Sequence, residues 1–285
     1  MLRGAPSRMI GLMLPSIEVP FFGILAHAIE QELFQHGYQT LICSTAENLD
    51  HEVRYISMLL AQRVDGVIVA SAFGSIEHFG LLRDARIPII AIDRELNGIA
   101  DDAVMADHAE GGRLMARHLI DLGHRAIAIV GAPAHSQPIQ LRLQGITAEM
   151  AKDGIAPAIV AMAEEHSFAE TYRLARELLA SRPDITAIIG TTDVSAIAAI
   201  HAIQDRGFSV PNDYSVVGFD DLPEAAYVFP RLTTVAQPIR DVGRQAARLL
   251  EALIEEHQTG DESQGAVVKV PVTLIERDST GPVRN

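Results

Sequence analysis

The chain is 285 residues long, 48% hydrophobic and 21% charged, with a formal net charge of −14. A chain of this size buries an ordinary core and suits two lobes better than one, while its acidic balance argues against holding nucleic acid by itself, since phosphate binding needs a basic surface. No apolar run reaches the roughly 18 residues of a membrane span, and the single cysteine, Cys43, excludes an internal disulfide and suits a reducing cytoplasm.

Strand and helix patterns alternate from the start. The opening MLRGAPSRMIGLMLPS has an apolar run too short for a secretory signal and reads as a first strand at 9–14. Phe22, Leu25, Ala26, Ile29 and Leu33 then follow at helical spacing, and Gly37 supplies a left-handed stop. The pattern predicts a strand at 41–43, a helix at 49–61, a strand at 67–70, a helix near 75–85 and a strand at 89–92. It restarts with a helix at 110–122, stopped by Gly123, and a strand at 127–130. Helices near 141–152 and 169–180, a strand at 187–190 and a helix at 194–206 come next. A strand carrying Val216, Val217 and Phe219 leads to 233–236, a long helix at 239–257 and two short strands at 267–270 and 273–275. Repeated units of this kind imply an α/β fold of doubly wound parallel sheets covered on both faces by helices. Only 259–265 reads as a soft polar loop, and no linker separates independent domains.

Candidate chemistry gathers at strand ends, where open α/β sheets receive ligands. VPFF, residues 19–22, follows the first strand. Phe21 and Phe22 can stack on a ring, or they are core residues of an amphipathic helix. Asp93 and Arg94 end the run IPIIAID. A carboxylate and a guanidinium fork together suit a polyol, but an exposed ion pair or a capped turn has the same letters. The stretch VPNDYSVVGFDD ends in Asp220 and Asp221, and LTTVAQP follows from Leu232. Among the 11 histidines, His118 and His124 do not share a helix face, and no HxxxH, HExxH or cysteine cluster offers a metal site. His108, beside Asp107, either lines a ligand site or donates to backbone. There is no GxSxG elbow, no GxGxxG after the first strand and no P-loop, and Gly131-Ala132-Pro133 is too weak to read as a phosphate cradle. The acids therefore read as binding groups rather than catalytic ones, with no cofactor called for.

VPNDYSVVGFDD and LTTVAQP closely resemble the effector-binding core of the LacI/GalR family of bacterial transcriptional regulators, and the resemblance runs along nearly the whole chain. It implies a periplasmic-binding-protein-like core of two lobes with a ligand cleft between them, crossed three times by the chain, near Asp107, Gln237 and Lys269. The lobes implied are 9–107 plus 238–268 and 108–237 plus 269–285, after a hinge remnant at 1–8. Phe21 and Phe22 match paired aromatics that flank the effector, Asp93 and Arg94 match a pair that holds sugar hydroxyls, and Asp220 and Gln237 match positions of the second lobe. HSQPIQLRLQG, residues 135–145, matches a loop entering a helix, and many sugar-binding relatives have an arginine where this chain has Gln140. Thr192–Asp193 stands for a common Asn-Asp, and Val19 for a common asparagine. These departures put an ordinary pentose or hexose in doubt, while Ser136 and Thr192 keep hydrogen-bonding capacity. LRGAPSR, residues 2–8, resembles only the end of the connection to a helix-turn-helix domain. The resemblance thus implies a sugar-like effector, operator DNA reached only through an N-terminal domain absent from this chain, no membrane partner, and a cytoplasmic homodimer. The dimer surface it implies is 49–61, 75–85, the helix after Asp193, and the apolar run 227–229. A solute-binding protein of a sugar transport system has the same fold and is the alternative.

Overall fold

A computed structural model of the chain describes residues 6–70, 76–96, 99–131, 133–259 and 266–283. Most of the hinge remnant 1–8, the start of the helix near 75, Ala132 and nearly all of the polar loop 259–265 lie outside the described residues. In chain order come β1 (Met9–Leu14), α1 (Pro20–Gln35), β2 (Gln39–Ser44), α2 (Leu49–Gln62), β3 (Gly66–Val69), α3 (Ile76–Asp84), β4 (Ile89–Ile92) and β5 (Asp102–Ala106). Then follow α4 (His108–Asp121), β6 (Ile127–Gly131), α5 (Gln137–Lys152), β7 (Ile159–Met162), α6 (Phe168–Ser181), β8 (Ala187–Gly190), α7 (Asp193–Gln204) and β9 (Ser215–Asp220). After a 3-10 turn at Pro223–Ala226 come β10 (Thr233–Ala236), α8 (Ile239–Thr259), β11 (Val267–Val270) and β12 (Thr273–Ile275). Among the described residues no helix is long and apolar enough to cross a membrane.

The local causes are ordinary ones. β3, β4, β6, β8 and β9 are buried at every position, as parallel strands covered on both faces must be. The Asn48 side chain accepts from the backbone N–H groups of Asp50 and His51 and so starts α2; Asp107, Ser167 and Thr192 start α4, α6 and α7 in the same way. Gly37, at φ +82°, ends α1. α5 begins at Gln137, four residues before the 141 read from periodicity, because Pro138 fits the first turn, where its missing N–H has no helical partner to lose.

The chain divides into two compact units. One holds the described residues up to Ala106 and Pro238–Val270; the other holds Asp107–Gln237 and the described residues from Pro271. Two boundary details differ from the resemblance. Asp107 caps α4 and so goes with the second unit. Lys269 and Val270 pair with Met105 and Ala106 in the first sheet, which makes them part of the first unit. The first sheet has the order β11-β5-β4-β3-β1-β2, all parallel. The second runs β12-β10-β9-β8-β6-β7, with only β12 antiparallel. β5 and β7 are strands the periodicity passes over. β5 opens on a charged residue within an acidic, glycine-bearing stretch, and β7 is a half-buried edge strand.

Candidate ligand-binding site

In the first unit the candidate residues leave the C-terminal ends of β1 and β4. Pro20 opens α1 directly after Val19, which sets the next two side chains at the strand mouth. Phe21 is buried and Phe22 half-buried, and their rings meet edge to face at 5.0 Å. Asp93 is buried and left-handed, at φ +61°, with its N–H donating to the Val104 carbonyl. Burial lowers the pKa of the Arg94 guanidinium, while the charges of Asp93, Glu52 and Glu47 oppose that shift. An arginine so placed keeps its charge and sits in an acidic surround.

In the second unit, β10, β9, β8 and β6 are neighbours, and each delivers a candidate at its C-terminal end. Asp220 pairs with Ala236 in register, so Gln237 follows at the end of the adjacent strand. Its Nε2 donates to Asp220 Oδ1 at 2.6 Å. Asp220 is 5% exposed and adopts φ +125°, a region L-residues rarely enter. Strain of this kind persists where surrounding contacts over-determine it, commonly at ligand sites. Thr192 spends its hydroxyl on the cap, accepting from Ser195 N–H at 3.1 Å and bonding Ser195 Oγ at 2.9 Å. Ser136 stands at the start of α5, half-buried, and makes no cap bond with its side chain.

Gln140 does not join this group; its side chain is exposed. A guanidinium beside Asp220 comes instead from Arg142, two residues further on. Two residues turn a helix by about 200°, which moves a side chain to the opposite face. Arg142, 3% exposed, lies with its guanidinium carbon 3.6 Å from the centre of the Phe219 ring. Its Nη2 is 3.5 Å from Asp220 Oδ1, its Nη1 donates to the Thr191 carbonyl at 2.6 Å, and its Nε donates to His108 Nδ1 at 3.3 Å. A signal for it was present in the sequence: Ile139, Arg142, Ile146 and Met150 share the buried stripe of α5, so a charge sits where helical period demands an apolar residue.

Two further groups tune the patch. Asp193 is fully buried and accepts from Leu222 N–H at 2.7 Å and Thr234 Oγ1 at 2.6 Å. Burial first, then the Asp220 charge, pushes its carboxyl well above the usual range. His166, half-buried after β7, is pushed down to about 4 by burial and by the facing Arg142 and His135. One carboxyl, a guanidinium and an amide thus converge at the C-terminal end of the sheet. Such a set both donates to and accepts from neighbouring hydroxyls.

The family described as periplasmic binding proteins and sugar binding domain of LacI family matches residues 7–278. The ribose operon repressor of Bacillus subtilis (strain 168) is 32% identical over 274 residues, covering 96% of this chain and 81% of the repressor. A LacI family transcriptional regulator from Enterococcus faecium, solved with bound ribose, superposes with a TM-score of 0.86 at 28% identity, over 97% of this chain and 100% of that one. Another from Enterococcus faecalis V583, also with bound ribose, gives a TM-score of 0.85 at 32% identity over the same shares. With the family spanning nearly the whole chain and repressors among its relatives, the protein belongs to the LacI family, as the effector-sensing core of a transcriptional regulator.

Proposed function

We propose that this core senses a small sugar or a closely related polyol. Asp220, Arg142 and Gln237 of the second unit and Asp93 and Arg94 of the first serve the ligand's hydroxyls, with Phe21 and Phe22 on its apolar face. Ser136 and Thr192 lie on the edge that would take the ligand. The observation that carries the reading is the bonded set Gln237–Asp220–Arg142, a charged, buried group of donors and acceptors at the end of a parallel sheet. Ribose bound in two structural neighbours supports a pentose-sized ligand. The protein acts by binding, not turnover, and a ligand moves its conformational equilibrium only by its differential affinity for the two states. Operator contact is assigned to an N-terminal helix-turn-helix domain, in keeping with a net charge of −14 here. The working protein is a cytoplasmic homodimer joined through apolar groups on α2, α3, α7 and the 227–229 loop.

The test is a thermal-shift screen of pentoses, hexoses, polyols, sugar acids and nucleobases. Binding to the native state raises its stability by about 2.7 kcal/mol at a hundredfold excess over Kd. A clear shift with a pentose or related polyol, and none with nucleobases, is the expected result; a shift with nucleobases alone overturns the reading.

A further inference from the structure

The second unit contains a bonded series that sugar binding by itself does not call for. The chain enters this unit at Asp107 and leaves it at Gln237. His108, the residue after the entry, opens α4 and is 1% exposed, with its ring 5.7 Å from that of Phe219. Its Nδ1 faces Arg142 Nε at 3.3 Å. A guanidinium only donates, so Nδ1 is the acceptor and the ring proton belongs on Nε2. From Arg142 the series continues to Asp220 at 3.5 Å and from Asp220 to Gln237 at 2.6 Å, at the exit. It therefore runs from the first chain crossing to the second, with the carboxylate assigned to the sugar inside it.

The backbone keeps its first half in place. A Cβ at Gly112 of α4 would stand 2.1 Å from the carbonyl oxygen of Arg142 itself, and one at Gly145 of α5 would stand 2.0 Å from the Ala109 carbonyl oxygen. Reciprocal glycines bring the two helices into backbone contact, so His108 and Arg142 do not shift independently. The Phe219 ring, the Thr191 carbonyl and the His108 imidazole thus help to orient Arg142 toward Asp220.

We infer that His108 is a positioning residue for Arg142, and that the series His108–Arg142–Asp220–Gln237 transmits occupancy at Asp220 to the first two of the three chain crossings, at Asp107 and Gln237. The second half rests on the sugar-binding reading of Asp220; the first does not. His108→Leu removes the acceptor at similar volume, whereas His108→Asn places an oxygen near the position of Nδ1. Nitrogen NMR of the ligand-free protein should show His108 as the Nε2–H tautomer, with a protected Arg142 Nε–H signal that survives in H108N and is lost in H108L. Hydrogen exchange with D-ribose as probe should show slowing at both 103–108 and 235–239 in wild type and H108N. In H108L it should slow at the second segment alone, with D-ribose bound about tenfold more weakly, the loss of one hydrogen bond to a charged group.

An Nδ1–H tautomer in wild type, or an H108L protein with wild-type Arg142 signal, exchange and affinity, overturns the inference. Loss of fold in H108L leaves H108N and the wild-type tautomer to decide it. Should wild type ignore D-ribose altogether, ribose is excluded as the ligand and occupancy transmission with it, while the NMR result still decides the positioning role.

Discussion

Asp193, which opens α7 after β8, and Asp220, which ends the adjacent β9, are carboxyls in different surroundings. Asp220 has a guanidinium and an amide beside it, whereas Asp193 has a backbone N–H, a hydroxyl and the repulsion of Asp220. With its folded pKa raised above the ordinary 3.8, Asp193 binds more protons in the folded than in the unfolded chain. Its contribution to stability is therefore greatest in acid and declines as pH rises through the folded value. Asp193→Asn can keep both partners, accepting from Leu222 N–H and donating to Thr234 Oγ1, without an ionisable proton. Denaturant unfolding should show D193N gaining on wild type as pH climbs above about 4, with no gain below it; a variant less stable than wild type at pH near 8 contradicts this. For the two acids proposed to hold the sugar, Asp93→Ala and Asp220→Ala should each weaken its binding by about 1.5–3 kcal/mol, as expected for a hydrogen bond to a charged group. Unchanged calorimetric affinity in both would remove them from the site. Both acids were legible because each ends an apolar run. Arg142 was passed over although its charge interrupts the apolar stripe of α5, because the reading settled on Gln140, which two residues of helix register place on the exposed face.

At the scale of elements, the buried parallel strands were legible as apolar runs between glycines, prolines and polar turns, since both faces of each strand are covered. Their order was not. β11 pairs with β5 after an intervening chain that builds the whole second unit, and no local pattern records a pairing between distant segments. Edge strand β7, half-buried, lacks the apolar run that announced the others. The contact between α4 and α5 was equally silent, because a glycine in a helix looks like a propensity fault until its neighbour is known. Gly145→Ala should cost about 1–3 kcal/mol through overpacking and reduce sugar affinity by moving Arg142. Gly23→Ala is the counterpart: nothing lies within 4 Å of its added Cβ, and the site is in helix α1. Urea unfolding should find that variant more stable by about 0.5–1 kcal/mol, the ordinary helix gain of alanine over glycine. Equal effects at the two sites would mean that α4 and α5 do not meet as closely as described.

For the whole molecule, family membership was legible in VPNDYSVVGFDD and LTTVAQP, but the places where the chain crosses between units came from resemblance and not from any linker composition. The same holds for assembly, where the sequence offered one independent hint, an apolar run at 227–229 outside any strand. Tyr227 is 81% and Phe229 88% exposed. The Phe229 carbonyl accepts from Gln204 Nε2 at 3.0 Å, so the loop is tied to α7 and holds these rings outward. Leu49 and Met58 on α2 and Leu81 on α3 are exposed as well. Large apolar groups presented to water on an anchored loop mark an interaction surface, and a two-fold contact uses the same patch in both subunits. Phe229→Asp would then place a carboxylate in the contact twice while disturbing no core, because the native ring is already outside it. Light scattering over a concentration series should find wild type dimeric at micromolar concentration and F229D shifted toward monomer, with unchanged unfolding of the isolated subunit. A wild type that is monomeric throughout that range would leave the exposed rings without this role.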